Sequence, residues 1–417
     1  MRIRPAVAAF CFLAAPARAQ PQESRPSREA IGVMREGVRA YMDARFDDAV
    51  SLLSESLTMR PAWKTAAGFR AICLWTTGDL EGARADAKLA VRLRPNSSES
   101  YTARGFAYFV LRDFKKASDD FVAAARRGRN YGPAYFGMGS VLSSQEKLRD
   151  ALTNLDLAVK LEPNAAAVRI VRGTVYEKTK EFKSAAADYS KVVELAPDFH
   201  WARFYRGRAY RELKDFPKAI ADLSAFLKRN PHYEKALYFR SNAYFLTGDY
   251  RSAVDDLGRL VKLNPKHGLA YANRGVARSA LGDKTGALED LERAKALLPE
   301  KAAKIQTQIE AMRAEGDAGA EDGEEEAMGE NSITGTPGKD LTPPPAPADV
   351  SLEPLPEELP EDKPRFGVLS GQPPRPSFAA PPTESAGTEN PSPPARLPGE
   401  KTPDPDDEEG GDFMFIR

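Results

Sequence analysis

Six arginines and six aspartates recur along this chain at one spacing and form its most regular charged pattern. Arg70, Arg104, Arg172, Arg206, Arg240 and Arg274 are each followed sixteen residues later by an acid, Asp86, Asp120, Asp188, Asp222, Asp256 and Asp290. A guanidinium meets a carboxylate in a two-pronged, charge-assisted hydrogen bond, so this pattern points to structural ion pairs. The functional alternative is an arginine ladder for an anionic ligand. Joint absence favours pairing: where Glu36 and Met138 replace the arginine, Leu52 and Asn154 replace the aspartate.

Other chemistry-bearing side chains are sparse. His200, His232 and His267 fall at the boundaries of repeating units whose stacking step of about 10 Å is too long for one metal ion to bridge, and surface histidines are expected. No phosphate-binding glycine loop, HExxH or GxSxG occurs. The acidic runs Glu324–Glu326 and Asp406–Glu409 lack the spacing of a calcium loop. Cys73 occupies a slot that holds alanine or valine in six other units, which predicts a small buried hydrophobe. We therefore expect no enzyme, no catalytic residue, no metal and no cofactor.

What must position the arginines and aspartates is a repeat. Pro61, Pro95, Pro163, Pro197, Pro231, Pro265 and Pro299 are spaced by 34 residues or twice that, with one slot, at Arg129, lacking its proline. Such a period marks stacked supersecondary units. Eight units follow, starting at Ala30, Lys64, Ser98, Gly132, Ala166, His200, Glu234 and Gly268, and ending at Lys301. Position 20 of the unit is alanine in all eight, Ala49 to Ala287, and position 8 is glycine in six. Small residues twelve apart let two antiparallel helices approach closely, while Leu53, Phe121, Leu155, Tyr189, Leu223, Leu257 and Leu291 at position 24 supply bulk. Each proline should close a second helix, with Asn96, Asn164 and Asp198 as candidate caps of the next one. Pro217 fits the first turn of a second helix. The junction at Gly128–Gly132, which has glycines and no proline stop, should be the least regular.

These residues resemble the tetratricopeptide repeat, with small residues at positions 8, 20 and 27, aromatics near 11 and 24, and proline at 32. Val192, Phe226 and Leu260 depart from that pattern at position 27. The resemblance implies an all-α, right-handed superhelical solenoid of tandem 34-residue helix-turn-helix repeats, and a non-enzymatic role in binding a protein or peptide. It also implies that positions 2, 5, 9, 12 and 13 of each first helix line a concave groove. Tyr41, Ile72, Trp75, Phe106, Phe109 and Phe136 would give that groove an apolar half. Phe204, Arg208, Arg211, Tyr238 and Asn242 would give it a half with basic and amide groups. Aromatics and arginine dominate binding hot spots, and a ligand groove is the expectation here, ahead of an extended core. The full clamp that chaperone-binding relatives use for a terminal carboxylate is missing.

The ends of the chain differ from its body. Residues 1–19 carry Arg2 and Arg4, an apolar run from Ala6 to Ala15 and Ala17-Arg18-Ala19, the pattern of a cleaved export signal. The run is too short to span a membrane, so a periplasmic or secreted bacterial cell-envelope protein is expected. Residues 20–29 form a linker. After the repeats, 302–313 reads as a capping helix with Ile305, Ile309 and Met312 on one face. Residues 314–417 hold 20 of the 33 prolines and a net charge of −17, which predicts a disordered, Pro-rich acidic tail. The remaining body carries +14. Two further expectations follow: the basic body could dock on anionic lipid or surface polymer, and the tail could bind its own body. No nucleic-acid partner and no transmembrane segment are expected.

Overall fold

The structure, a computed structural model, describes residues 26–325, with side chains to Ala314. The expected export signal and the tail from residue 326 onward lie outside the described residues. Unit one is α1 (Arg28–Met42) with α2 (Phe46–Met59), and unit two is α3 (Lys64–Thr77) with α4 (Leu80–Ala90). Units three and four are α5 (Ser98–Val110), α6 (Phe114–Arg127), α7 (Gly132–Ser144) and α8 (Leu148–Leu161). Units five and six are α9 (Ala166–Lys178), α10 (Phe182–Leu195), α11 (Trp201–Glu212) and α12 (Phe216–Arg229). Units seven and eight are α13 (Glu234–Leu246), α14 (Tyr250–Leu263), α15 (Gly268–Ala280) and α16 (Lys284–Leu297). A 3-10 turn at Pro299–Lys301 leads into α17 (Ala302–Glu325). Among the described residues there is no strand, and the chain is an all-α solenoid.

Contact between the two helices of a unit rests on the small residues. A Cβ added at Gly105, Gly139 or Gly173 would lie 2.8, 2.6 and 2.6 Å from Phe121, Leu155 and Tyr189. Nothing larger than hydrogen fits there, because real Cβ atoms keep well beyond 3 Å. All eight position-20 alanines are fully buried against the same contact.

The turn joining the two helices has a signature that the glycine pattern only partly betrays. Its residue at position 15 takes a left-handed backbone in every unit, as Gly78, Gly248 and Gly282 in three and as Ala44, Arg112, Glu146, Lys180 and Lys214 in five. Glycine adopts that conformation without steric cost and the others do not. The next residue is an aspartate in five units, Asp79, Asp113, Asp215, Asp249 and Asp283, and each accepts a backbone N–H of the second helix it caps.

Three local expectations are corrected. Asn96, Asn164 and Asp198 do not cap the following helices; Ser97, Ala165 and His200 hold those positions, and Ser97 builds a full capping box with Ser100. The junction without proline is regular, since the Gly128 N–H still meets the Ala124 carbonyl and Tyr131 N–H meets Gly128, as at the proline junctions. Irregularity lies one junction earlier: α4 has 11 residues where the other second helices have 14. The third concerns the ends, for α1 begins at Arg28, capped by Ser27, inside the expected linker, and α17 continues past Arg313 to Glu325. Ala314, Glu315, Ala318 and Ala320 are good helix formers, and no proline follows until Pro337. Ile305, Ile309 and Met312 of α17 are buried.

Candidate functional site

The arginine–aspartate pairs form within each unit in all six cases. Both carboxylate oxygens accept from one guanidinium at 2.6 and 2.9 Å for Arg70–Asp86, and at 2.7 and 2.7 Å for Arg240–Asp256. Arg104–Asp120, Arg172–Asp188, Arg206–Asp222 and Arg274–Asp290 repeat this geometry. A third guanidinium nitrogen reaches back to the preceding unit. There Ser54, Asp156, Ser190 and Ser224 accept from Arg70, Arg172, Arg206 and Arg240 at 3.1, 2.9, 3.3 and 2.9 Å. Each of these four arginines thus ties three helices together, while Arg274, facing Gly258 at that place, bonds only Asp290 among the described residues. Arg104 instead finds the Leu93 carbonyl at 3.0 Å, in the stretch where α4 has opened.

The concave stripe is not the continuous groove that the sequence predicts. Tyr41, Ile72, Phe106, Phe109, Phe136, Phe204 and Tyr238 are buried and belong to the core. Two contacts explain this. Gly68 of α3 meets Ala103 of α5 backbone to backbone, so closely that an added Cβ would lie 2.4 Å from the Ala103 carbonyl oxygen. Unit one also folds back across the inner face of the array. The Tyr41 ring lies 6.1 Å from Phe136 of unit four, Phe46 lies 5.6 Å from Phe199 at the end of unit five, and Arg35 donates to Glu99 at 2.7 Å. The expected apolar half of the groove is filled by its own side chains. Trp75 is half-buried, edge-on to Phe109 at 5.4 Å.

The expected basic half is partly spoken for. Arg208 donates to Glu177 through Nε at 3.0 Å and through a second nitrogen, and Tyr189 donates to the same carboxylate at 3.0 Å. Burial opposes the Arg208 charge, but Glu177 more than offsets this and raises its pKa. Arg211 pairs with Glu212 and lies 4.1 Å above the Phe239 ring. Asn242, half-buried, accepts from Asn273 at 3.2 Å, and Asn273 also donates to Tyr238 at 3.1 Å. Asn273 was missed in the sequence because only first-helix positions 2, 5, 9, 12 and 13 were counted toward the groove.

A cleft of about 1220 Å³ opens where unit one meets the later loops, lined by Arg39, Asp43, Arg45, His200, Arg229 and His232 among others. Burial lowers the pKa of His200, so its imidazole is neutral at pH 7. Burial likewise raises the pKa of the Cys73 thiol, which leaves it a small core hydrophobe. Among the described residues no group of His, Cys, Asp or Glu side chains could hold a metal ion. None of the described helices is long and apolar enough to cross a membrane.

Units seven and eight extend past the closure. Phe245 is half-buried, Leu246 is 49% exposed and Leu281 48%. At the position of Leu246, units one to three carry Met42, Thr76 and Val110, all buried.

Similarity to known proteins agrees with this architecture. The tetratricopeptide repeat profile matches residues 34–98, 136–198, 204–254 and 247–302, more than half of the chain. The heat-shock protein cognate (HSC) co-chaperone sgt12 of Aspergillus fumigatus is 28% identical over 102 residues, which cover 24% of this chain and 30% of that protein. A chain of the APC/C hetero-tetramer Cut9–Hcn1 superposes with a TM-score of 0.51 at 15% identity, over 66% of this chain and 55% of its own. YrrB, described as a TPR protein with an unusual peptide-binding site, is 21% identical over 46% of this chain and 98% of its own, with a TM-score of 0.43. The matched residues, the helix pairs and the glycine–alanine contacts lead to one conclusion: the chain belongs to the tetratricopeptide repeat family.

Proposed function

We propose that this protein is a non-enzymatic interaction scaffold of the bacterial cell envelope, exported to the periplasm or beyond, which holds a peptide or protein segment against units six to eight. One observation carries the placement. Asn242 and Phe245 are half-buried, as Trp75 is, but Leu246 beside them is 49% exposed where Met42, Thr76 and Val110 of units one to three are buried. Exposed apolar groups beside amides and charges are what a binding surface offers. A co-chaperone among the relatives supports a protein partner. Export itself rests on the pattern of residues 1–19.

The test is capture from cells of the native host by the wild type, Leu246→Asp and Asn242→Ala, at low and at about 0.5 M salt. Partners lost with Leu246→Asp and retained in salt support the segment-binding surface, because apolar contacts survive screening. Partners indifferent to both substitutions overturn it.

A second reading has its own observation. The second helices and loops of units two and three expose Arg84, Lys88, Arg92, Arg94, Arg112, Lys115, Arg126 and Arg129, and none has a carboxylate within 4 Å among the described residues. Such a face would dock on anionic lipid or surface polymer. That binding would vanish at the higher salt.

A further inference from the structure

We infer that the chain's own tail, through the segment Asp406–Ile416, occupies the exposed surface of units six to eight in cis and must be displaced by any partner. The inference rests on the location proposed for the partner surface, and it adds the regulation of that surface. The surface has two components. Leu246 and Leu281, at the C-terminal ends of successive first helices, are apolar and about half exposed, with Phe245 half-buried beside them. On the same edge of the array stand Arg211, Lys214 and Arg251, at the ends and turns of α11 and α14. Arg211 pairs with Glu212, while Lys214 and Arg251 have no carboxylate within 4 Å among the described residues.

The tail sequence supplies a complement to each of these components. Four consecutive acids, Asp406-Asp407-Glu408-Glu409, precede Gly410, Gly411 and Asp412, and then Phe413, Met414, Phe415 and Ile416 form the densest apolar cluster of a segment otherwise rich in proline and acid. The same turns carry the capping aspartates Asp215, Asp249 and Asp283, so the tail acids would meet Lys214 and Arg251 individually while the rings meet the leucines. Leu246 and Leu281 are the two most exposed of the large apolar side chains among the described residues, and the apolar cluster that would cover them belongs to the same molecule. The tether allows it. From Glu325 to Asp406 runs a chain of about 80 residues, whose root-mean-square reach is on the order of 50 Å. Stacked helices step by about 10 Å, so units six to eight lie within reach of the end of α17. Tethering sets a local concentration on the order of 1 mM, and a contact too weak to hold two separate molecules suffices.

The experiment is amide hydrogen exchange at the ends of α13 and α15, residues 245–248 and 279–282, in the chain from Gln20 to Arg417 at low salt. It is compared with the double variant Phe413→Ser, Phe415→Ser, each at two protein concentrations tenfold apart. We expect exchange in the unaltered chain to be slower by about tenfold, the ratio of a millimolar local concentration to a contact of about 0.1 mM, and equally so at both concentrations. Identical exchange in the two proteins overturns the inference. Protection that grows with concentration also overturns it, because the occupant is then a second copy. A labelled peptide of residues 404–417 added to the chain ended at residue 403 should bind, and should fail to bind when Leu246→Asp is introduced with unfolding temperature unchanged. A peptide that fails to bind while partner capture still depends on Leu246 defeats the tail and leaves the partner surface standing. If both fail, the surface itself is not a site.

Discussion

Units one to three and unit seven are built from one repeat, yet its thirteenth position meets opposite surroundings in the two stretches. The thirteenth residue of the unit is buried as Met42, Thr76 and Val110 and half exposed as Leu246. The fifth position, by contrast, is interior throughout, as Phe136 in unit four, Phe204 in unit six and Tyr238 in unit seven. The difference teaches that a repeat position specifies a direction and not an environment. Whether that direction meets solvent depends on what folds back against it, and here unit one does so, placing Tyr41 on Phe136 and Phe46 on Phe199.

The comparison can be broken most severely through a core ring. Phe136→Ala should cost about 3–5 kcal/mol, as for a fully buried aromatic, while Phe245→Ala, half-buried in the open stretch, should cost less than about 1 kcal/mol. Urea denaturation measures both, and equal losses would mean that unit one does not close over the inner face. Gly68→Val comes next. It forces α3 and α5 apart and should cost about 3 kcal/mol, raising X-ray scattering dimensions as the first units uncurl. Gly258→Ala is its counterpart in the open stretch, where a new Cβ meets only Arg274 at 3.8 Å; it should stabilise by up to about 1 kcal/mol through helix propensity.

Ion pairs should ignore the boundary between the two stretches. Asp120→Asn and Asp256→Asn each leave a partly buried arginine without its partner, and each should cost about 2 kcal/mol, below the range for fully buried pairs because the arginines keep some solvent. A large difference between the two would show that the pairs stabilise the closure and not the repeat. The smallest effect belongs to the left-handed turns. Lys214→Gly relieves a backbone cost of about 1 kcal/mol and adds unfolded-chain entropy in return, so thermal unfolding should move by no more than a few degrees.

Much of the fold was legible because it is local and repeated. Prolines at a fixed period, alanine in every position 20, and arginines appearing and vanishing with their aspartates each encode a contact inside one unit. Other features were hidden for a physical reason. The closure joins Tyr41 to Phe136 and Phe46 to Phe199, residues with no periodic relation to each other, so no comparison of units could reveal it. Arg208 looked available because Glu177, its partner, belongs to the preceding unit. The left-handed turn announced itself only at Gly78, Gly248 and Gly282.

The backward reach of four of these arginines has a consequence for how such an array can grow. Arg206 needs a serine or acid near the end of the unit before it, and its own unit supplies Ser224 to the unit after. A copy of unit six inserted directly behind itself would therefore find Ser224 ahead and offer a second Ser224 behind, and every bond at both new seams would be remade. Unit seven, with Gly258 at that place, would offer its follower nothing. Lengthening by gene duplication is thus open at the sixth unit and hindered at the seventh, which makes the charged pairs a grammar for which repeats may be neighbours.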